Sequence, residues 1–303
     1  MQSGIQHITR DRLNTAAYDA CITQDHNGAI YAQSWYLDQM ASHWDVLVKG
    51  NYEAVMPLPW RKKYGVKYLY MPAFTPMLGV YGQDSEASTG AFLKAVPPSF
   101  RFWEISLHKG NSIPTEWQPS ARANYVLSLQ QDYPSLFAGY KQNIQRNCKK
   151  ALNLGCTVVH GFPVSEVIAI AKTQLQPISN ITDEDFVHFE QLYALLEPQG
   201  KAVTYGVTDA GGKLLSSCVF FFSNGRAYYI LVGNHPNGRT LGASHALIDG
   251  FIRDHAGQNL ILDFEGSDIR NLAYFYSSFG STMETYHRIK VNRLPWWMKL
   301  VKK

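Results

Sequence analysis

At 303 residues the chain exceeds a usual single core, so two domains of ~150 residues are expected. Apolar residues at 46% and charged residues at 17% exclude a disordered chain. The excess of basic over acidic residues, 28 − 24 = +4, tolerates an anionic ligand but lacks the strong positive field of a nucleic-acid-binding domain.

The first half opens with a helix over "RDRLNTAAYDACITQ" and a second over "YAQSWYLDQMAS", with Ser34 as its cap and Trp35, Leu37 and Met40 directed to the core. "WDVLVKGNYEAVMPLPWRKK" reads as a hairpin around Lys49-Gly50-Asn51. "VKYLYMPAFTPMLGVYG", interrupted by Pro72 and Pro76, reads as a strand or loop near an edge. A helix, "TGAFLKAVP", and a strand, "FRFWEISLH", follow. Trp35, Trp44 and Trp60 fit a core or an aromatic-lined sugar cleft. The second half starts with a strand and then one helix from about Pro134 to Leu154, ended by Gly155. Two more helices, "PVSEVIAIAKTQLQ" and "TDEDFVHFEQLYALLEPQG", come next. Thr182 with Asp185 resembles a capping box, and Gly200 lies past the end of the second. Gly211-Gly212 and Asn224-Gly225 then separate three strands. The chain continues with the helix "GASHALIDGFIRDHA", the strand "NLILDFEG", the helix "DIRNLAYFYSSFG" and the strand "METYHRIKV".

Four scattered cysteines, Cys21, Cys148, Cys156 and Cys218, form no C-x-x-C and have no histidine at ligand spacing. They point to a reducing compartment and away from zinc or disulfides. The N-terminus lacks a signal-peptide core, and no apolar run approaches ~20 residues, so a cytoplasmic protein without a membrane span is expected. The terminal "LPWWMKLVKK" suits brief contact with a membrane surface at most.

The stretch from Gly233 to Ile252 carries the chemistry, and two phosphate loops compete for it. Gly233-x-x-x-x-Gly238-Arg239-Thr240 nearly spells a P-loop, but Arg239 replaces the lysine that reaches the β- and γ-phosphates. The strands before it are antiparallel hairpins, and no suitable magnesium-binding aspartate follows. Arg239-x-x-Gly242-x-Ser244 fits a loop that grips a pyrophosphate at a helix N-terminus. There Gly242 and Ala243 admit the phosphates, and Arg239 adds a charge-assisted hydrogen bond. The bland alternative is a helix-starting turn with a solvated arginine.

This order of elements resembles the GNAT acyltransferase core. Arg239-x-x-Gly242-x-Ser244 corresponds to that family's Q/R-x-x-G-x-G/A loop, with Ser244 in place of the last small residue. Tyr276-x-x-x-Gly280 resembles the spacing of the following helix, while Ile269 stands where the family has an asparagine. "YAQSWYLDQM", "YKQNIQRNCKKALNLGCTV" and "LDFEGSDIRNLAYFYSSFGS" together resemble the Fem-type branch, which carries two GNAT-like domains in one chain. The resemblance implies an α/β (α+β) fold of two tandem GNAT-like domains, residues 1–130 and 131–303, with mixed, mostly antiparallel sheets flanked by helices. It also implies acyl transfer from acetyl-CoA or another acyl-CoA to an amine, with no metal.

Acyl transfer to an amine needs one proton removed from nitrogen and one delivered to sulfur. By motif position the resemblance makes Tyr276 the acid, its alternative being a packed aromatic. Asp263 and Glu265 alternate with apolar residues at the end of "LILDFEG" and are expected on one side of the strand. Glu265 is the candidate base, directly or through a water, and Asp263 a substrate anchor; either also suits a structural carboxylate. His235 is a second base candidate or a solvated loop side chain. His245 and His255 are assigned no role. Val232, Arg239, Gly242, Ala243 and Ser244 are the cofactor-binding candidates, the pantetheine arm pairing in a splayed gap after "AYYILVG". Arg146 and Lys149, within the basic segment Lys141–Lys150, are candidates for an anionic acceptor or form a solvated helix face. The acceptor, a small-molecule or cell-wall-precursor amine, is expected in a cleft between the domains. Two rivals stand beside this reading: an aminoacyl-tRNA-dependent transferase of the peptidoglycan-bridge type, and an inactive binding module.

Overall fold

The structure, a computed structural model, describes residues 4–266 and 268–295, and of Arg239 the backbone alone. Ser267 and the terminal stretch from Trp296 lie outside the described residues, and with them the expectation of membrane contact. The chain divides into two compact units. Described residues up to Arg122 join those from Thr285 in the first, and Ala123–Glu284 form the second. The return of the chain to the first unit from Thr285 onward is not legible in the sequence.

The first unit holds β1 (Ile5–Thr9), α1 (Thr15–Gln24), α2 (Ser34–Met40), β2 (Trp44–Lys49), β3 (Ala54–Lys63), β4 (Val66–Leu69), β5 (Tyr81–Gly82), α3 (Ser85–Ala95) and β6 (Phe100–Leu107). Asn14 caps α1 by accepting the Ala17 N–H (3.2 Å), and Tyr18, Cys21 and Ile22 form its buried face. Ser34 does not cap α2. It is the first helical residue, and its N–H and hydroxyl both donate to the Asp19 carboxylate (2.7 and 2.6 Å). Leu37 and Met40 are buried as expected, whereas Trp35 is half-buried. The strands run β1-β2-β3-β4-β6, with β5 also on β3. The expected edge strand β4 is therefore interior, paired with β3 and, in parallel, with β6. It ends at Leu69, before Pro72, so no proline interrupts its ladder. Pro57 and Pro59 are tolerated within β3 for a related reason. Trp60 N–H donates to His43 O, which puts both prolines at non-hydrogen-bonded pairs with β2.

The second unit begins within β7 (Ser120–Ser128) and continues with α4 (Tyr133–Ala138), α5 (Gln142–Asn153), β8 (Thr157–His160), α6 (Val164–Leu175), α7 (Asp183–Leu196), β9 (Ala202–Thr208), β10 (Leu214–Ser223) and β11 (Arg226–Asn234). It ends with α8 (Pro236–Leu241), α9 (Ala243–His255), β12 (Ile261–Asp263), α10 (Arg270–Ser277) and the start of β13 (Thr282–Asn292), whose remainder pairs with β6 of the first unit's own sheet. The helix expected from about Pro134 to Leu154 is broken. Lys141 N–H turns to Ser278 O (2.8 Å), and Gly139 closes α4, a tertiary preference that local periodicity does not carry. Gly155 (φ +76°) ends α5 as expected.

The sheet order is β7-β12-β11-β10-β9-β8, with β11–β12 parallel and the other pairs antiparallel. Asn224 and Gly225 both take positive φ at the β10–β11 turn, as a two-residue hairpin requires. Neighbouring residues of β10 face opposite layers. Phe220 stacks on Phe251 of α9 (3.7 Å), and Phe221 on Phe189 of α7 (5.3 Å). The chain adopts the expected mixed α/β architecture, helices flanking a largely antiparallel sheet.

Candidate functional site

β11 and β12 pair over only three residues, Arg226↔Ile261, Ala227↔Leu262 and Tyr228↔Asp263. β12 ends there, while β11 runs on to Asn234. Opposite β10 the register shifts between Val219 and Phe220, which leaves Ile230 as an extra residue; such a bulge bends and twists its strand. Beyond it, His235 N–H donates to Leu215 O (2.8 Å). Ser216–Asn234 and Cys218–Val232 are then non-hydrogen-bonded pairs. The backbone groups of Val232 and Asn234 therefore point away from β10, along the edge that β12 has left. That edge is where the pantetheine arm was expected, and Val232 lies on it.

The strand feeds the phosphate-loop stretch, which is not an open loop. Residues Pro236–Leu241 are helical, with Pro236 in the first turn and His235 Nδ1 accepting the Asn237 N–H (3.2 Å). A helix here excludes a P-loop nest around residues 233–240. Its glycines serve packing. A Cβ on Gly233 would lie 2.9 Å from the Ile170 Cβ, and one on Gly238 would lie 2.4 Å from Leu215 O. Gly242, at φ +76°, ends α8 and starts α9, and a Cβ there would lie 2.7 Å from Asn147 O on α5. Ala243 is buried behind it. The Ser244 hydroxyl turns inward and donates to Asn234 Oδ1 (2.6 Å), as does that of Ser216 (2.6 Å). Lys150 Nζ donates to Thr240 O (2.7 Å), so α5 brings a cation to the start of α9. Arg146 and Lys149 are exposed on the same helix and line an open concavity with Gln142, Gln145, Lys150 and Asn153. Of Arg239 only the helical backbone is described.

Tyr276 of α10 is 8% exposed. It stacks on Phe264 (4.9 Å) and meets Tyr229 of β11 edge-on (6.4 Å). Burial first, then the charge of Glu265, pushes its phenol above the ordinary tyrosine value, so it stays protonated and able to donate. Glu265 follows the strand, not within it. Its φ is +65°, so the alternation expected to align it with Asp263 does not apply. Burial holds the Glu265 carboxyl well above the usual glutamate range. Asp263 is buried and accepts from Arg226 Nη1 (2.8 Å), Asn124 Nδ2 (3.0 Å) and the Glu265 N–H (3.0 Å). Arg226 also meets Glu284 (3.4 Å). Asp263 thus orients the turn that carries Glu265.

Tyr276 lies against Tyr229, and the charge of Glu265 acts on its phenol. His235 lies six residues along β11 from Tyr229, roughly 20 Å at strand rise, and its Nδ1 is engaged in capping. The structure therefore separates it from that pair. Gln174 and Asn234 escape sequence reasoning. Gln174 Oε1 accepts the Asn234 N–H (3.1 Å) and its Nε2 donates to Asn234 O, a contact across 60 residues that no local pattern signals. His245, given no role from sequence, packs edge-on against Phe275 (5.0 Å) beside Tyr276, and burial lowers its pKa to about 4.

No family profile matches the sequence, and no curated protein does. Solved structures do match in fold. FemX superposes with a TM-score of 0.64 at 12% identity, over 98% of this chain and 99% of its own. The C-terminal domain (DUF2156) of a putative lysylphosphatidylglycerol synthetase from Agrobacterium fabrum gives 0.56 at 9% identity, over 95% and 94%. A conserved protein of unknown function from Bacteroides thetaiotaomicron gives 0.54 at 13%, over 91% and 97%. Among the described residues no helix is long and apolar enough to cross a membrane. The chain has the fold of FemX, in line with the fold that the resemblance of its motifs implies.

Proposed function

We propose that the chain is an N-acyltransferase that moves an acyl group, acetyl in the simplest case, from acyl-CoA to an amine. The observation that carries this reading is the edge of β11 beyond Tyr228, where Val232 presents backbone groups that β12 does not reach, on the strand that leads through α8 to the start of α9. Pantetheine amides pair along such an edge as a strand does, and the motif assigns the pyrophosphate to the α9 N-terminus, where Gly242 packs against Asn147 O of α5. Arg239, assigned by motif, and Lys150 supply positive charge.

The amine nitrogen attacks the thioester carbonyl, forming a C–N bond and breaking the C–S bond. Glu265 takes the proton that leaves nitrogen, directly or through a water. Tyr276 gives its phenolic proton to the departing thiolate, and solvent exchange resets the pair. Burial raises the pKa of Glu265, which makes its carboxylate a stronger base than an exposed one.

Calorimetric titration with acetyl-CoA tests the reading. Micromolar binding that weakens about tenfold in Arg239→Ala, the loss of ~1.4 kcal/mol, supports it, and silence refutes it. A second reading, transfer from aminoacyl-tRNA, draws on the exposed Arg146 and Lys149 in the open concavity of α5, which suit a polyanion. Titration with a non-hydrolysable aminoacyl-tRNA mimic in parallel separates the two. The acceptor class stays at the level of an amine.

A further inference from the structure

We propose that the Gln174 carboxamide is a built-in stand-in for an amide-bearing donor arm on the edge of β11, displaced when the donor binds, and that Gln174 thereby keeps the end of β11 satisfied in the free protein at a cost to the affinity of donors carrying such an arm. The proposal deepens the acyl-CoA reading and rests on it.

Asn234 is the last residue of β11, and its N–H and C=O point away from β10. A neighbouring strand would satisfy both groups, but β12 ends opposite Tyr228. Gln174 does so in its place. Its Oε1 accepts from the Asn234 N–H (3.1 Å) and its Nε2 donates to the Asn234 carbonyl. One primary amide thus performs, from a side chain, the exchange that a backbone amide of a paired strand performs. A pantetheine arm carries two secondary amides, the same donor and acceptor chemistry in extended form.

The surroundings make Gln174 the movable part. Asn234 is fixed from its other side, where its Oδ1 accepts from Ser216 and Ser244 (2.6 Å each). α6 itself is pressed onto the strand, since a Cβ on Gly233 would lie 2.9 Å from the Ile170 Cβ and 3.0 Å from Ala171 N. The helix backbone has no room to shift inward, whereas the half-buried Gln174 side chain, in the last turn of α6, has rotamers to turn to. Asn234, which the stand-in holds, lies in sequence between Val232 and the α9 start, on the proposed route from the pyrophosphate to Tyr276. An arm running that way meets Gln174 before it reaches Val232.

The test compares wild type, Gln174→Ala and Gln174→Leu, the last keeping packing volume without the amide, with acetyl-CoA and with 3′,5′-ADP, which lacks the arm. Removing a competitor that holds two hydrogen bonds is expected to tighten acetyl-CoA binding by about 5- to 10-fold in both variants and to leave 3′,5′-ADP unchanged. Hydrogen exchange at the Asn234 amide is expected to quicken in the free variants and to slow again with acetyl-CoA. Wild-type binding of both ligands with unchanged or weaker acetyl-CoA affinity in the variants overturns the proposal and leaves the acyl-CoA reading standing. Absence of binding by either ligand to all three proteins overturns both.

Discussion

Glu265 and His108 show burial acting on two titratable groups in opposite directions. Burial raises the Glu265 carboxyl, so it is protonated at pH values where an ordinary glutamate, near ~4.3, is ionised. As a base it must lose that proton. The acyl-transfer rate is therefore expected to climb with pH on a limb lying above the ordinary glutamate range. Glu265→Gln should abolish that limb and lower kcat by roughly 100-fold, measured as a pH–rate profile of thiol release. His108, buried in the first unit and stacked on Tyr81, accepts the Gly110 N–H at Nδ1 and donates from Nε2 to Val80 O. Burial lowers its pKa to about 4. Below ~6.5 the unfolded chain takes up a proton that the folded state refuses, so stability falls as pH drops from ~6.5 towards about 4. The loss is expected to reach up to about 3 kcal/mol, and His108→Gln should flatten the dependence of urea midpoint on pH across that window. Asp263 and Tyr276 were legible as residues of interest. The role of Asp263 as anchor of Arg226 and the Glu265 turn was not, because its partners Asn124 and Arg226 are distant in sequence.

At the scale of elements, local chemistry decides where its signal is self-contained. The capping box of α7 forms as the sequence indicates: the Asp185 N–H donates to Thr182 Oγ1 (3.2 Å) and the Thr182 N–H to Asp185 Oδ2 (2.8 Å). Thr182→Ala is expected to cost about 1 kcal/mol in urea unfolding. The Asn224-Gly225 hairpin is a second such case. Where an element answers to distant partners, the sequence misleads. α4 and α5 read as one helix until Ser278 claims the Lys141 N–H. β4 reads as an edge until β6 pairs with it. α8 was missed because His235-Pro236-Asn237-Gly238 has the composition of a loop. What holds it helical is the cap at His235 and the close approach of Gly238 to Leu215.

For the whole molecule, the two units are unequal in what they offer. Among the described residues the tryptophans, Trp35, Trp44, Trp60, Trp103 and Trp117, all belong to the first unit, so their emission reports its unfolding. Ile289, on the β13 segment that closes that unit's sheet against β6, is fully buried in its core. Ile289→Ala is expected to remove about 2–4 kcal/mol from the tryptophan-monitored transition, a loss that no reading of a 131–303 domain anticipates. By itself the sequence determined the fold class, the three hairpin strands, the α9 start at Gly242 and the pairing of Tyr276 with Glu265 as candidates. Those features follow from period, turn chemistry and motif spacing, which act over a few residues. Only the tertiary structure decided that Glu265 leaves the strand at positive φ, that His235 lies apart from Tyr276, that Gln174 occupies the edge of β11 and that the chain returns to its first unit. Each of those depends on groups tens of residues apart meeting in space, where burial and unsatisfied backbone groups, not local preference, set the outcome.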